Sequence, residues 1–371
     1  MGACIALLAT IVATGSYPSG PKPAAALASS VPAARNLSLP QLVGQRVVYS
    51  YRGLTPPASL LARIRAGQAA GVVFFKGNIA NERQLRAVTA ELQRAALQSP
   101  VKLPLLLMTD QEGGLVRRLP GAPTLSEKQI GQSAEPATAA RRAGHNAGLN
   151  LAGVGLNVNL APVLDVYRTP GDFIDQYGRS YSDDPRLVSK LGAAFITAQQ
   201  KAGVATVAKH FPGLGAASTN QNTDLRPVTL KQSLANLRAV DELPYPAAIK
   251  AQVSLVMVSW ATYPALDAKR PAGLSPVVVK QELRGRLGFA GVTITDALGA
   301  GGLPKSDTVA ERAVLAVRAG MDLLLCSNQR TRQGANAAGG LLAALRAHKI
   351  SRVTFNESVD RVLALRAALA G

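Results

Sequence analysis

Residues 103–110 read LPLLLMTD. The run is apolar without alternation, so both of its faces are suited to burial, as in a strand of a parallel sheet covered by helices. It ends on a polar pair, Thr109-Asp110. Working outward, the same pattern recurs at Val47–Tyr51 (VVYSY), Gly71–Phe75 (GVVFF), Leu156–Asp165 (LNVNLAPVLD) and Val204–Phe211 (VATVAKHF). It continues at Ser254–Trp260 (SLVMVSW), Val292–Asp296 (VTITD) and Met321–Ser327 (MDLLLCS). Between these runs lie amphipathic stretches of helical length, among them Asn81–Leu97, Pro185–Ala202 and Thr308–Ala319. In the first, Leu85, Val88, Leu92 and Ala95/Ala96 recur on one face, opposite Arg and Glu. About eight strands alternating with about eight helices predict an α/β fold, a single (β/α)8 TIM-type barrel. A doubly wound sheet would need G-x-G-x-x-G directly after a strand, and the nearest candidate, Gly153-Val154-Gly155, precedes one.

Composition narrows the function. Two cysteines exclude a disulfide scaffold, and three dispersed histidines, His145, His210 and His348, form no metal-binding pair. No metal or other cofactor is expected. Lys and Arg number 41 against 22 Asp and Glu, a net charge of +19. That excess suits nucleic acid or an exported protein among anionic polymers. Aromatics are only 4% of the chain and interleave no basic run, so nucleic acid is not an expected partner. Residues Cys4–Thr14 (CIALLATIVAT) form an apolar run of signal-peptide size, too short for a stable membrane span, although the usual basic residues before it are missing. A Pro/Ala/Ser-rich stretch follows, with Ala26-Leu27-Ala28 resembling a cleavage site. The expected organisation is a signal-like segment and linker over residues 1–35, then a barrel over 36–371, in a secreted or envelope-associated protein.

In a barrel the active site is built at the C-terminal ends of the strands. Those ends carry Asp110-Gln111-Glu112, Asp165, Lys209-His210, Trp260 and Asp296. Several carboxylates, a Lys–His pair and an indole on one mouth suit a carbohydrate: carboxylates for hydroxyls and an oxocarbenium-like centre, cations for oxygens, a ring for a sugar face.

These residues resemble the N-terminal barrel domain of glycoside hydrolase family 3, and within it the single-domain bacterial β-N-acetylhexosaminidases. The carriers are LLLMTDQEGGLVRRL (105–119), NLAPVLDV (159–166), GRSYSDDP (178–185), VAKHFPGLG (207–215), SLVMVSWATYPALD (254–267) and GFAGVTITDALGA (288–300). The resemblance implies a glycosidase acting on a saccharide, with Asp296 as nucleophile and Asp110, Arg118, Arg179, Lys209 and His210 binding substrate. Glu112 is read as an architectural hydrogen-bonder, Asp165 as either architectural or functional, and Trp260 as a wall of the pocket.

One departure stands out. In the hexosaminidase branch, the loop after K-H-F-P-G carries an Asp-x-His dyad whose histidine is the general acid/base. Here the corresponding positions are Asn220 and Asn222, and an amide cannot shuttle a proton. Asp224 is the one titratable acid in this loop and is the candidate substitute; the competing reading makes it a turn residue before Arg226-Pro227. Asp172 and Asp175 are further acid candidates, while Asp183-Asp184-Pro185 looks like a helix cap. The loop is Gly-, Ser- and Asn-rich, and is expected to close over substrate. Three readings follow: an exported β-N-acetylhexosaminidase with a non-standard acid/base, a β-glucosidase or β-xylosidase of the same family, or a degenerate barrel that binds saccharides without cleaving them.

Overall fold

The computed structural model describes residues 32–370; the apolar run at Cys4–Thr14 and the cleavage-like triplet lie outside them. Eight parallel strands close into a barrel. They are β1 (Val47–Tyr49), β2 (Gly71–Val73), β3 (Leu106–Thr109), β4 (Val158–Asn159), β5 (Ala205–Phe211), β6 (Leu255–Val258), β7 (Val292–Ala297) and β8 (Leu323–Leu325). Each pairs with its sequence neighbours, and β8 returns to β1. All eight predicted runs are barrel strands, but several are shorter than their apolar stretches. Leu156–Asp165 keeps regular strand pairing only at Val158–Asn159; Pro162, with no N–H to give, lies in the irregular stretch beyond it, and pairing resumes as an isolated bridge between Val163 and Lys209. Likewise β3 starts only after Pro104.

The predicted helices form at Glu82–Leu97, Pro185–Lys201 and Val309–Ala319. Each starts at a side-chain cap: Asn81 accepts from the Gln84 N–H, Asp184 from Arg186, and Thr308 from Glu311. The first buries Leu85, Val88, Leu92, Ala95 and Ala96, the face its periodicity marks. Among the described residues no helix is long and apolar enough to cross a membrane.

Period-two alternation fills the barrel. Leu106 and Met108, Ala205 and Val207, Leu255 and Met257, Val292 and Ile294, and Leu323 and Leu325 all join one buried cluster. Val362 of the helix Arg352–Ala368 belongs to the same cluster.

One polar cluster interrupts this apolar economy. Asp322, immediately before β8, is fully buried. Its carboxylate accepts from Arg284 Nη2 at 2.6 Å, Arg361 Nη2 at 2.8 Å and the Thr293 N–H at 2.9 Å. Arg46 Nε donates to its carbonyl at 2.6 Å. The cluster thus joins β7, β8, the residue before β1 and the last helix. Burial alone would raise the Asp322 pKa, but Arg284 and Arg361 outweigh it and hold the carboxyl below its ordinary range. A depressed folded-state pKa means the stabilisation is complete above the unfolded carboxyl pKa of about 3.9 and disappears as pH falls through the folded value. Replacing Asp322→Asn is expected to destabilise the fold by about 3–5 kcal/mol, since two guanidinium groups lose their counter-charge. It should also flatten the acid limb of a thermal-stability curve measured against pH; an unchanged acid limb would contradict the assignment.

Candidate active site

The alternation that fills the barrel also builds its mouth. Two residues past the last apolar layer, the next inward residue is Asp110 just beyond β3, Lys209 on β5 and Asp296 on β7. A cavity of about 210 Å³ opens there. All seven candidate residues, Asp110, Arg118, Arg179, Lys209, His210, Asp224 and Asp296, line it.

Lys209 is the hub. Only 2% exposed, its ammonium lies 2.9 Å from Asp110 Oδ1 and 2.7 Å from Glu112 Oε1. Glu112 also receives a two-pronged bond from Arg179, Nε to Oε2 and Nη2 to Oε1, both at 2.9 Å. Asp110 Oδ2 is 3.4 Å from Arg118 Nη2. Burial works against charge on Asp110, Glu112 and Lys209, and the partners win. Lys209 and Arg118 hold Asp110 down at about 2, Arg179 and Lys209 hold Glu112 below its usual range, and Asp110 and Glu112 raise Lys209. Glu112 is the hydrogen-bonding strut expected of it.

The loop that presents Arg118 is organised by Gln111. Its Oε1 accepts from the Arg118 and Leu119 N–H groups, each at 3.0 Å, and its Nε2 donates to the Leu119 and Ala122 carbonyls. The next turn needs glycine at position 113: φ is +118°, and a Cβ there would lie 2.2 Å from the Leu125 carbonyl oxygen.

His210 is held from behind by Asp165. The Nδ1–Oδ2 distance is 2.7 Å, and Oδ1 accepts from the Leu214 N–H at 2.7 Å and the His210 N–H at 3.2 Å. Asp165 is completely buried and is therefore a positioning group rather than part of the cavity surface. His145 lies on the helix Pro136–Ala152 and His348 follows the helix Thr331–Arg346; neither lines the cavity.

Asp296 is half-buried, with Oδ1 accepting from the Ala297 N–H at 2.7 Å. Asp224 stands at the solvent-exposed rim of the same cavity. The turn in its loop belongs to Asn222, whose Oδ1 accepts from the Asp224 N–H at 2.8 Å. The Asp224 carboxyl is left facing the cavity, where partial desolvation and then the Asp296 charge raise its pKa. The loop is bonded to the segment after β7: Gly301 N–H donates to the Asp224 carbonyl at 2.8 Å and Gly302 N–H to the Thr223 carbonyl at 2.7 Å. The loop expected to close over substrate is thus already fastened at its Asp224 end.

Two other expectations change. Trp260 is not a wall of the cavity: it is fully buried, its Nε1 donates to the Ala297 carbonyl at 2.9 Å, and it braces the strand end carrying Asp296. The aromatic side chains in the lining are Phe75 and Phe173. Asp172 accepts from the Arg168 and Thr169 N–H groups, and Asp175 binds Lys128 at 2.7 Å, so both are occupied in loop structure.

Glu127 escaped sequence reasoning. It is 1% exposed behind the site, with Oε1 accepting from the Val163 N–H at 2.9 Å and Oε2 without a partner among the described residues. Burial, then the Glu112 charge, pushes its pKa well up. It belongs to no motif, and its partner is 36 residues away.

Comparison with known proteins fits this geometry. Residues 41–365 match the glycosyl hydrolase family 3 N terminal domain. An uncharacterized secreted glycosyl hydrolase of Arthroderma benhamiae is 45% identical, the alignment covering 93% of this chain and 98% of that protein. Beta-hexosaminidase A of Pseudoalteromonas piscicida is 30% identical over 93% of this chain, which spans 63% of its length. The solved structure of a glycoside hydrolase family 3 β-N-acetylglucosaminidase from Paenibacillus sp. str. FPU-7 superposes with a TM-score of 0.85 at 36% identity, covering 90% of this chain and 64% of that one. With the barrel, the strand-end residues and these matches in agreement, the chain belongs to glycosyl hydrolase family 3.

Proposed function

We propose that this glycoside hydrolase is an exported, retaining β-N-acetylhexosaminidase in which Asp296 is the nucleophile and Asp224 the acid/base. One observation carries the reading. Of the three carboxyl groups lining the cavity, Asp110 is committed to Lys209 and Arg118, which leaves Asp296 and Asp224 without a cation partner among the described residues. The names of the hexosaminidase relatives support the sugar class, and the name of the Arthroderma protein supports export.

In the first step the Asp296 carboxylate attacks the anomeric carbon, the glycosidic C–O bond breaks, and the Asp224 proton goes to the departing oxygen. In the second, Asp224 takes a proton from water as the water oxygen attacks the same carbon, and the ester bond to Asp296 breaks. Asp110, Arg118, Arg179, Lys209 and His210 bind sugar hydroxyls around this centre. The cavity lies below the 300–1,000 Å³ typical of drug-sized ligand sites, at about 210 Å³, which suits one sugar ring in the pocket with the remainder outside.

Aryl β-glycosides of N-acetylglucosamine, glucose and xylose, with good and poor leaving groups, test the reading. Asp296→Asn should abolish turnover of every substrate; retained turnover would overturn the nucleophile. Asp224→Asn should lower kcat/KM on poor leaving groups by about 10²–10⁴ while sparing good ones. The raised pKa of Asp224 also sets a pH signature. The first step needs the protonated acid, so wild-type kcat/KM should fall as pH rises through that value, and Asp224→Asn should lack this limb. A limb that persists in the variant would assign the proton to another group. Preferential cleavage of the glucoside or xyloside would move the sugar class, and saccharide binding without turnover would leave a binding barrel.

A further inference from the structure

The helix Pro136–Ala152 and the helix Pro185–Lys201 pack side by side in the outer layer of the barrel. They meet where side chains vanish. A Cβ on Gly144 would lie 2.3 Å from the Phe195 carbonyl oxygen, and one on Gly148 would lie 2.6 Å from the Ala202 Cβ. Above this close contact the seam opens into a shallow groove of about 750 Å³. Its floor on the second helix is small: Ala193, Ala194, Thr197 and Ala198. Its wall on the first helix is Thr138, Arg141, Arg142 and His145, spaced i, i+3, i+4, i+7 and therefore one continuous stripe. Lys201 adds a third Lys/Arg cation from the second helix, and among the described residues no acid lines the groove.

These cations are uncommitted. Arg141 Nη2 donates to the Thr138 hydroxyl at 2.9 Å, and among the described residues Arg141, Arg142 and Lys201 form no ion pair. More than a third of the molecule's acids are buried out of reach of these cations. Among the described residues, eight of the 22 Asp and Glu are buried, against three of the 40 Lys and Arg, so the outer surface is more basic than the net charge of +19 suggests. A concave, low-dielectric floor between cationic side chains concentrates that field.

We propose that this groove binds a linear phosphate polymer, one chain wide, and holds the enzyme on phosphate-bearing surroundings while the catalytic mouth stays free. Guanidinium groups match phosphate oxygens two at a time, which favours phosphate over a diffuse anion. Two helices packed about 8–10 Å apart leave room for a single strand between their side chains and not for a duplex. The groove shares no residue with the catalytic cavity, so the inference stands apart from the assignments of Asp296 and Asp224.

The test is a titration of fluorescently labelled long-chain inorganic polyphosphate by anisotropy, with three forms of the full chain. R141E/R142E reverses the groove wall. R83E/R94E makes the same charge change on exposed positions of the helix Glu82–Leu97. Turnover of an aryl glycoside, expected to be unchanged in both variants, reports folding. Wild type should bind, losing about tenfold in affinity between about 50 and about 200 mM salt. R141E/R142E should weaken binding by more than about tenfold and R83E/R94E by less than about twofold. Equal weakening in the two variants would mean bulk charge alone and would overturn the proposal, as would absence of wild-type binding. Duplex DNA of equal phosphate content should bind more weakly and be affected alike by both variants; if it binds as tightly and depends on the groove, the single-strand fit is wrong.

Discussion

A buried ammonium organises the mouth of this barrel. Taking Lys209 out of water costs several kcal/mol, and the cost is tolerable only because two carboxylates meet it at 2.9 Å and 2.7 Å. Those carboxylates, Asp110 and Glu112, come from the end of β3 and the residues just beyond it, while Lys209 comes from β5; β4 stands between the two strands. The ion cluster therefore ties together strand ends that no backbone ladder joins. The consequences propagate outward. Glu112, fixed by Lys209, fixes Arg179 in turn, and Asp110 engages Arg118. A sugar entering the cavity meets three cationic hydrogen-bond donors held in fixed orientation by two carboxylates, which suits a hydroxyl-rich ligand.

The fold was legible because its signal is redundant. Eight runs share one pattern, and a barrel tolerates an error at any single run. Strand ends were less legible where proline interrupts a run, since Leu156–Asp165 looks uniform by hydropathy but Pro162 cannot donate. The site was legible to the extent that it follows period two from the core. Asp110, Lys209 and Asp296 are each the next inward residue after an apolar pair, and Phe75 stands in the same relation to Val73. What could not be read was set by contacts distant in sequence. Trp260 ends a strand as the polar residues do, yet its indole turns to the Ala297 carbonyl 37 residues away and is lost to the cavity. Glu127 and the Asp322 carboxylate carry no local signature either, since the partners they accept from lie between 29 and 39 residues off.

The loop after β5 shows how position substitutes for motif. Its asparagines offer no proton, and Asn222 is used to turn the chain. That turn, together with the bonds from Gly301 and Gly302, sets Asp224 beside the segment that follows Asp296. The glycines serve the contact directly: a Cβ at Gly301 would lie 2.3 Å from the Leu225 carbonyl oxygen, and one at Gly302 would lie 2.7 Å from that of Thr223. Two loops from different strands are thus fastened into one unit, and a composition that reads as freedom is used for close approach.

That fastening bears on how a carboxylic acid can serve where a histidine is missing. On the proposed roles, Asp224 must hold its proton in the first step and accept one in the second. In the resting cavity its pKa is raised first by partial desolvation and then by the negative charge of Asp296. When Asp296 becomes a glycosyl ester that charge disappears, and the second contribution disappears with it. Asp224 then becomes a stronger acid than before, which shifts it toward the ionised form able to take a proton from water. The nucleophile's own charge would switch its partner between acid and base, and the switch depends on the two carboxyl groups staying close, which the bonds from Gly301 and Gly302 enforce.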